Sequence, residues 1–331
     1  MNVSTDGLVA WNEPTLVISI DLELAWGSFD HAYGPELLAM ARWTHDHGAP
    51  ALLEQLTQNG LSATWAVVGA LMLDGLPDLG RLEPFSTPGG RDWFSFVPPG
   101  ATERTAPEWF AASFVRRLAE ATPKQEVGFH GFSHVILGDP RVTARRARQE
   151  LEMCAELARK LSLESPSFVF PRNSVGHLDA LRAAGMGSYR GPDALLFPLR
   201  RRSLRSAWSM AADVLGLRPV LVQPRIEAGL VNIPGSLMVR YAAGWRKYIP
   251  DATRLGRLRA GLKLIRRRGG IFHVWLHPEN LFFEHPRLER VLADFHAEAG
   301  DLAASSKIRV LTMGQIAREA LARAPAPARA A

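Results

Sequence analysis

Residues Leu16-Val17-Ile18-Ser19-Ile20 form a β-branched run with no polar face, the pattern of a strand buried on both sides. Residues 50–59 then place Leu52, Leu53 and Leu56 at helical spacing before Asn59-Gly60, a helix stop. A second β-rich run, 63–69, follows at once. This strand–helix–strand order predicts two parallel strands joined by a right-handed crossover.

The alternation continues along most of the chain. Helices are predicted over 106–121, 142–161, 177–184, 253–268 and 286–299, the second with Arg and Glu crowding its outer face. Strands are predicted over 126–129, 166–170, 270–276 and 308–312. Residues 75–100 are rich in Pro and Gly and read as an extended loop. The segment 197–260 breaks the rhythm and reads as an irregular insertion, and 321–331, rich in Ala and Pro, reads as a disordered tail. The expectation is one α/β domain spanning residues 1–320.

Composition narrows the function classes. The chain has 331 residues, 22% charged and 47% hydrophobic, which excludes disorder for its body. A net charge of +6 is too small to mark a nucleic-acid binder. The single cysteine, Cys154, excludes a disulfide framework and a Cys-rich zinc site. The N-terminal residues carry no leader pattern and no run is long enough to span a bilayer, so a cytoplasmic protein is expected, with peripheral contact with an anionic membrane left open.

Three strand ends carry chemistry. Asp21 and Glu23, two apart at the end of the first strand, share one face by the two-residue period. Two carboxylates so close repel unless a cation or a proton lies between them; alternatively they are loop acids or helix caps. His130-Gly131-Phe132-Ser133-His134 follows the 126–129 strand, and on one helical turn its two imidazoles would face the same side. Two histidines and one carboxylate make a complete protein ligand set for a catalytic zinc-like centre. In Ile271-Phe272-His273-Val274-Trp275-Leu276-His277, His273 reads as a core histidine, and His277 stands where parallel sheets present active groups.

In this order, the stretches ISIDLE, LLEQLTQNGLSATWAVVG, EVGFHGFSH, FVFPRN, AAGMGSYRG and GGIFHVWLH resemble the polysaccharide deacetylase family. These are the carbohydrate esterases that share the chitooligosaccharide-deacetylase homology domain, and the resemblance covers roughly residues 15–315. It implies a distorted (β/α)-barrel of about seven parallel strands with its site at their C-terminal ends. It implies that Asp21 is the general base, that Glu23, His130 and His134 hold a divalent metal ion such as zinc, and that His277 is the general acid. Where the family places an arginine that orients the base, this chain has Val169, and Arg172 is the nearest substitute. The aspartate that positions the acid histidine has no counterpart in the irregular segment.

The implied activity is a metal-dependent hydrolysis of an N-acetyl or O-acetyl group on a saccharide or glycolipid. Two alternatives stand beside it: a same-fold amidohydrolase acting on a small non-sugar amide, and a non-catalytic glycan binder. Arg200, Arg201, Arg202 and Arg205, and the run Lys263, Arg266, Arg267 and Arg268, either meet phosphates or anionic lipid or lie on solvated helix faces. Trp26, Trp93 and Trp275 are candidates to stack on sugar rings, with core packing the competing fate. The oligomeric state is not readable from the sequence.

Overall fold

A computed structural model describes residues 7–194, 210–213 and 215–324. Its centre is one sheet built from β1 (Thr15–Leu22), β2 (Thr64–Val67), β3 (Glu126–Phe129), β4 (Ser167–Val169) and β5 (Ser188–Arg190). The remaining strands are β6 (Arg225–Glu227), β7 (Leu230–Asn232), β8 (Leu237–Val239), β9 (Ile271–Leu276) and β10 (Arg309–Val310). They lie in the order β6-β7-β5-β4-β3-β2-β1-β9-β8, and β10 pairs with the start of β1. All ladders are parallel except the β6–β7 hairpin, so the sheet curls into a half-barrel, the distorted (β/α)-barrel expected.

Strand polarity follows the two-residue period. On β1, Leu16, Ile18, Ile20 and Leu22 face the outer core beneath the helices. Val17 faces inward, where it joins Ala66, Val169, Val231 and Ile271 in a second, smaller core. The helix Met313–Arg323 closes that inner core with Met313, Ile316 and Ala320, and starts with a capping box between Thr312 and Gln315. Above this apolar floor the inward positions turn polar: Ser19 and Asp21 on β1, His273 and Trp275 on β9, Arg190 on β5. The fold thus sets an apolar plug at one end of the strands and a polar group at their C-terminal ends.

Two helices meet their sequence signals closely, whereas the helix expected over 106–121 spans only Ala112–Glu120. The helix Ala49–Gln58 ends at Asn59, and Gly60, at φ +66°, turns the chain in a Schellman motif with Leu61 N–H on Leu56 O at 2.8 Å. The helix Ala144–Lys160 begins at Thr143, whose hydroxyl accepts from Arg146 N–H. Not all of its charge is solvated: Arg146 and Glu150, four apart, are buried and paired at 2.6 Å.

The segment 197–260 differs from its expectation. It supplies β6, β7 and β8, with β7 paired to β5 and β8 paired to β9, so it completes the half-barrel. Each strand is three residues long and flanked by Gly or Pro, too short to show periodicity. The helix Met313–Arg323 also runs past residue 320, and the rest of the expected tail lies outside the described residues. The arginines at 200, 201, 202 and 205 lie outside them too. Among the described residues no helix is long and apolar enough to cross a membrane.

Candidate active site

Asp21 is the last inward residue of β1 and is buried. Arg190, from β5, holds it in a two-pronged bond, Nη1 on Oδ1 at 2.8 Å and Nη2 on Oδ2 at 2.5 Å. The same Nη1 donates to Ser19 Oγ at 2.9 Å, and the guanidinium lies 4.0 Å over the Trp275 ring. Burial acts to raise the Asp21 pKa, but Arg190, His130 and His277 hold it below the ordinary carboxylate value. Asp21 is therefore an ionised acceptor fixed in direction.

His273 belongs to the scaffold of this pair. Its Nδ1 faces Pro234 O at 3.0 Å, so it donates there, and Nε2 accepts from Ser19 Oγ at 2.8 Å. Burial and the nearby Arg190 charge push its pKa down to about 3, which keeps the ring neutral. The reading of His273 as a core histidine holds.

Glu23 leaves β1 just before a 3₁₀ turn, Leu24–Gly27. Its Oε1 lies 2.7 Å from His130 Nε2, 3.3 Å from His134 Nε2 and 3.3 Å from His277 Nε2. Burial favours the protonated acid, yet His277, His134 and His130 hold its pKa well below the usual range. The two imidazoles do not come from a helical turn, as their spacing suggested. They come from a loop: Gly131 and His134 sit at φ +76° and +62°. Ser133 anchors that loop, its N–H on Glu150 Oε2 at 3.0 Å and its hydroxyl on Glu150 Oε1 at 2.7 Å.

The tautomer of His130 tests whether a cation fits here. Its Nδ1 is 2.8 Å from Val169 O, an acceptor only, so that nitrogen carries a proton. Nε2 then faces a carboxylate oxygen only 2.7 Å away. That contact is attractive only with a positive charge between the two atoms, a proton or a metal cation. A carbonyl on the far ring nitrogen is also the usual way a metal-binding histidine is oriented. Burial lowers the His134 pKa, which leaves a second imidazole neutral and available. Glu23, His130 and His134 thus fit a divalent cation, and their ligand atoms lie within 4.8 Å of one another.

His277 follows β9 and is the more open side of the site, 21% exposed. Its Nε2 lies 3.7 Å from Asp21 Oδ2. Burial opposes its charge, but Glu23, Asp21 and Glu279 together push its pKa up to about 9. At neutral pH it is a proton donor beside a proton acceptor.

The sequence reading misplaced one residue and missed two. Arg172 does not reach Asp21. It sits at φ +55° and bonds Asp30 at 2.6 Å and His31 at 2.9 Å across the cleft mouth. The arginine on Asp21 is Arg190, which stood inside the quoted stretch AAGMGSYRG without being singled out. Glu279 was also missed. It opens the helix Glu279–Glu284, and its Oε1 accepts from Leu24 N–H at 2.6 Å and Glu23 N–H at 3.3 Å. Burial, with the Glu23 charge, pushes its pKa up to about 7. Of the three tryptophans, Trp26 and Trp93 are spent on the core, donating to Trp109 O and Ser133 O, while Trp275 lines the cleft and bonds Asp193 at 2.8 Å.

The whole arrangement opens into a cleft of about 1150 Å³ that reaches from Arg141 and Arg172 to Arg246 and Arg257. Fold and site together define an α/β half-barrel with a candidate metal centre at the C-terminal ends of its strands. No protein-family model and no curated protein matches the sequence. Solved structures do match the fold. A Mycobacterium smegmatis protein assigned to the polysaccharide deacetylases aligns over 100% of this chain and 99% of its own, at 17% identity and a TM-score of 0.65. One from Pseudomonas aeruginosa PAO1, assigned likewise, aligns over 92% and 90% at 11% identity and a TM-score of 0.58. Puue allantoinase aligns over 98% and 100% at 12% identity and a TM-score of 0.57. The chain has the fold of the polysaccharide deacetylases, in agreement with the motif order of its sequence.

Proposed function

We propose that this protein is a metal-dependent deacetylase that removes an acetyl group from the nitrogen or oxygen of a saccharide or glycolipid. The observation that carries the reading is the convergence of Glu23, His130 and His134, with His130 Nδ1 fixed on a carbonyl, beside an ionised aspartate and a protonated histidine. A divalent cation held by Glu23, His130 and His134, zinc by the nature of these ligands, supplies Lewis acidity to the acyl carbonyl and acidity to a water.

The other steps belong to the chain. Asp21, kept ionised and oriented by Arg190, takes the proton of the attacking water. His277 gives its proton to the leaving amine, which departs poorly as an anion. The acetyl carbon gains the water oxygen and loses the sugar nitrogen, so acetate and a free amine result.

A second reading has an observation of its own: the same fold carries an allantoinase. A small-amide hydrolase needs little space, however, and a cleft of about 1150 Å³ is larger than such a substrate fills. The test is acetate release from N-acetylated sugars by the zinc-loaded protein. Release that disappears in Asp21→Ala and His277→Ala is expected. Turnover of small cyclic amides with none of acetylated sugars would contradict the sugar reading.

A further inference from the structure

Beyond Trp275 the cleft has a second wall that the hydrolytic chemistry leaves unused. Arg240 follows β8 directly. Val239 is the register partner of Leu276, so Arg240 stands beside His277, about 5 Å away along the backbone ladder. Leu237 and Val239 face the outer core, and alternation turns Met238 and Arg240 into the cleft.

Two further arginines meet there. Arg246 Nε donates to Asp213 Oδ2 at 2.8 Å. Arg257 donates to Asp213 Oδ1 and, through Nε, to Leu217 O at 2.9 Å. Arg240 feels Asp213 and Asp193 as opposite charges and Arg246 and Arg257 as like charges. Three guanidiniums thus share this wall with two carboxylates among the described residues, while Arg218 is exposed to solvent. In sequence, the stretch between Asp193 and Asp213 holds four arginines and no Asp or Glu, so it adds no counter-charge.

Guanidinium groups do not shed their charge when crowded, so the excess of one positive charge in this half-buried wall is relieved by an anion. A carboxylate offers two oxygens in one plane, whereas a phosphoryl group offers three, spaced for forked N–H donors from several guanidiniums. We propose that Arg240, Arg246 and Arg257 form a subsite for a phosphoryl group carried by the substrate, one strand away from the histidine that protonates the leaving group. The role of this subsite in turnover rests on the deacetylase reading; the binding it asserts does not.

The test is titration calorimetry of the full-length protein with inorganic phosphate, and with acetate as the carboxylate control. Arg240→Gln and Arg246→Gln should each weaken phosphate binding by about tenfold or more, and Arg240→Lys, which keeps the charge but loses the forked donor, by less than Arg240→Gln. Glu23→Ala, which removes a metal ligand, should leave phosphate binding within about twofold of the wild type. Far-UV circular dichroism checks each variant, and the Arg240 pair carries the test where Arg246→Gln unfolds. Phosphate affinity unchanged in both Gln variants, acetate bound as tightly as phosphate, or phosphate binding lost with Glu23→Ala would each overturn the subsite.

The same variants titrated with N-acetylglucosamine 1-phosphate and with phosphatidic acid vesicles tell a soluble phosphate from a lipid-borne one. In turnover, Arg240→Gln should raise KM for an acetylated sugar phosphate with kcat nearly unchanged. Phosphate binding without acetate release would reject the deacetylase and keep the subsite; acetate release without phosphate binding would do the reverse.

Discussion

Asp21 and Glu23 have the same charge and lie two residues apart, yet their surroundings separate their roles. Asp21 meets a fixed guanidinium, Glu23 meets imidazoles. Asp21→Asn keeps the shape but removes the proton acceptor, so kcat should fall by about 100-fold or more with metal content unchanged. His277→Ala should do the same, and full turnover in either variant would contradict the assignment. Glu279 acts on backbone. In Glu279→Ala the buried N–H groups of Glu23 and Leu24 lose their acceptor, at a cost of about 2 kcal/mol in denaturant unfolding. An unchanged unfolding midpoint would show that the contact carries nothing. Four residues mark what was legible at this scale. Asp21 and His277 stand at the ends of long apolar strands, where the pattern announces them. Arg190 ends a three-residue strand between glycines, and Glu279 after Pro278 looks like any acid in a first helical turn, so neither position carries a local signal.

At the scale of elements, the loop after β3 decides whether the two histidines converge. Its spacing was read as helical, and the convergence is real although the helix is not. Two left-handed residues and a buried brace produce it: Glu150 bonds Ser133 twice, and Arg146 neutralises Glu150. The brace comes from the face of a helix whose charges looked solvated, since periodicity counts Arg and Glu as outward residues. Glu150→Ala leaves the Arg146 charge buried and the loop untied. It should cost about 3 to 5 kcal/mol of stability and weaken zinc binding together. Zinc affinity unchanged in a destabilised Glu150→Ala protein would show that the loop holds its shape without the brace. The strands β1 and β9 and the helices Ala144–Lys160 and Asp251–Arg268 matched their predicted bounds to within two residues, because each is amphipathic or fully buried over several turns or pleats. The helix expected over 106–121 starts only at Ala112, and the helices Pro35–Trp43 and Met313–Arg323 were not expected. The strands β5 to β8 were not legible, because three residues cannot show a period and their identity comes from pairing: β5 with β4, β7 with β5, β6 with β7 and β8 with β9.

At the scale of the whole molecule, the buried ionisable groups set a pH response. His273 and His296, held at about 3 and about 4 by burial, stay neutral in the fold. The unfolded chain takes up protons on both near pH 6.5, so stability is lost as pH falls from about 6.5 towards 4. Asp21 and Glu23, with lowered values, add to the loss as pH falls further. His277, raised to about 9, works the other way: its contribution is complete below about 6.5 and disappears as pH rises through 9. Tm should therefore be highest near neutrality, and His296→Leu, far from the candidate centre, should flatten the acid limb. A Tm that stays level from pH 7 to 4 would contradict this. Under the proposed function, a bound divalent cation such as zinc would add stability by mass action, about 2.7 kcal/mol at a hundred times its dissociation constant, so a chelator should lower Tm in the wild type and leave Glu23→Ala unmoved.

The most direct measurement is the zinc content of the purified protein and its variants after equilibration with zinc and dialysis. The wild type, Asp21→Asn and His277→Ala should each retain close to one ion per chain, and Glu23→Ala, His130→Ala and His134→Ala close to none. A full complement of zinc in the Glu23 and His134 variants, or none in the wild type, would contradict the account.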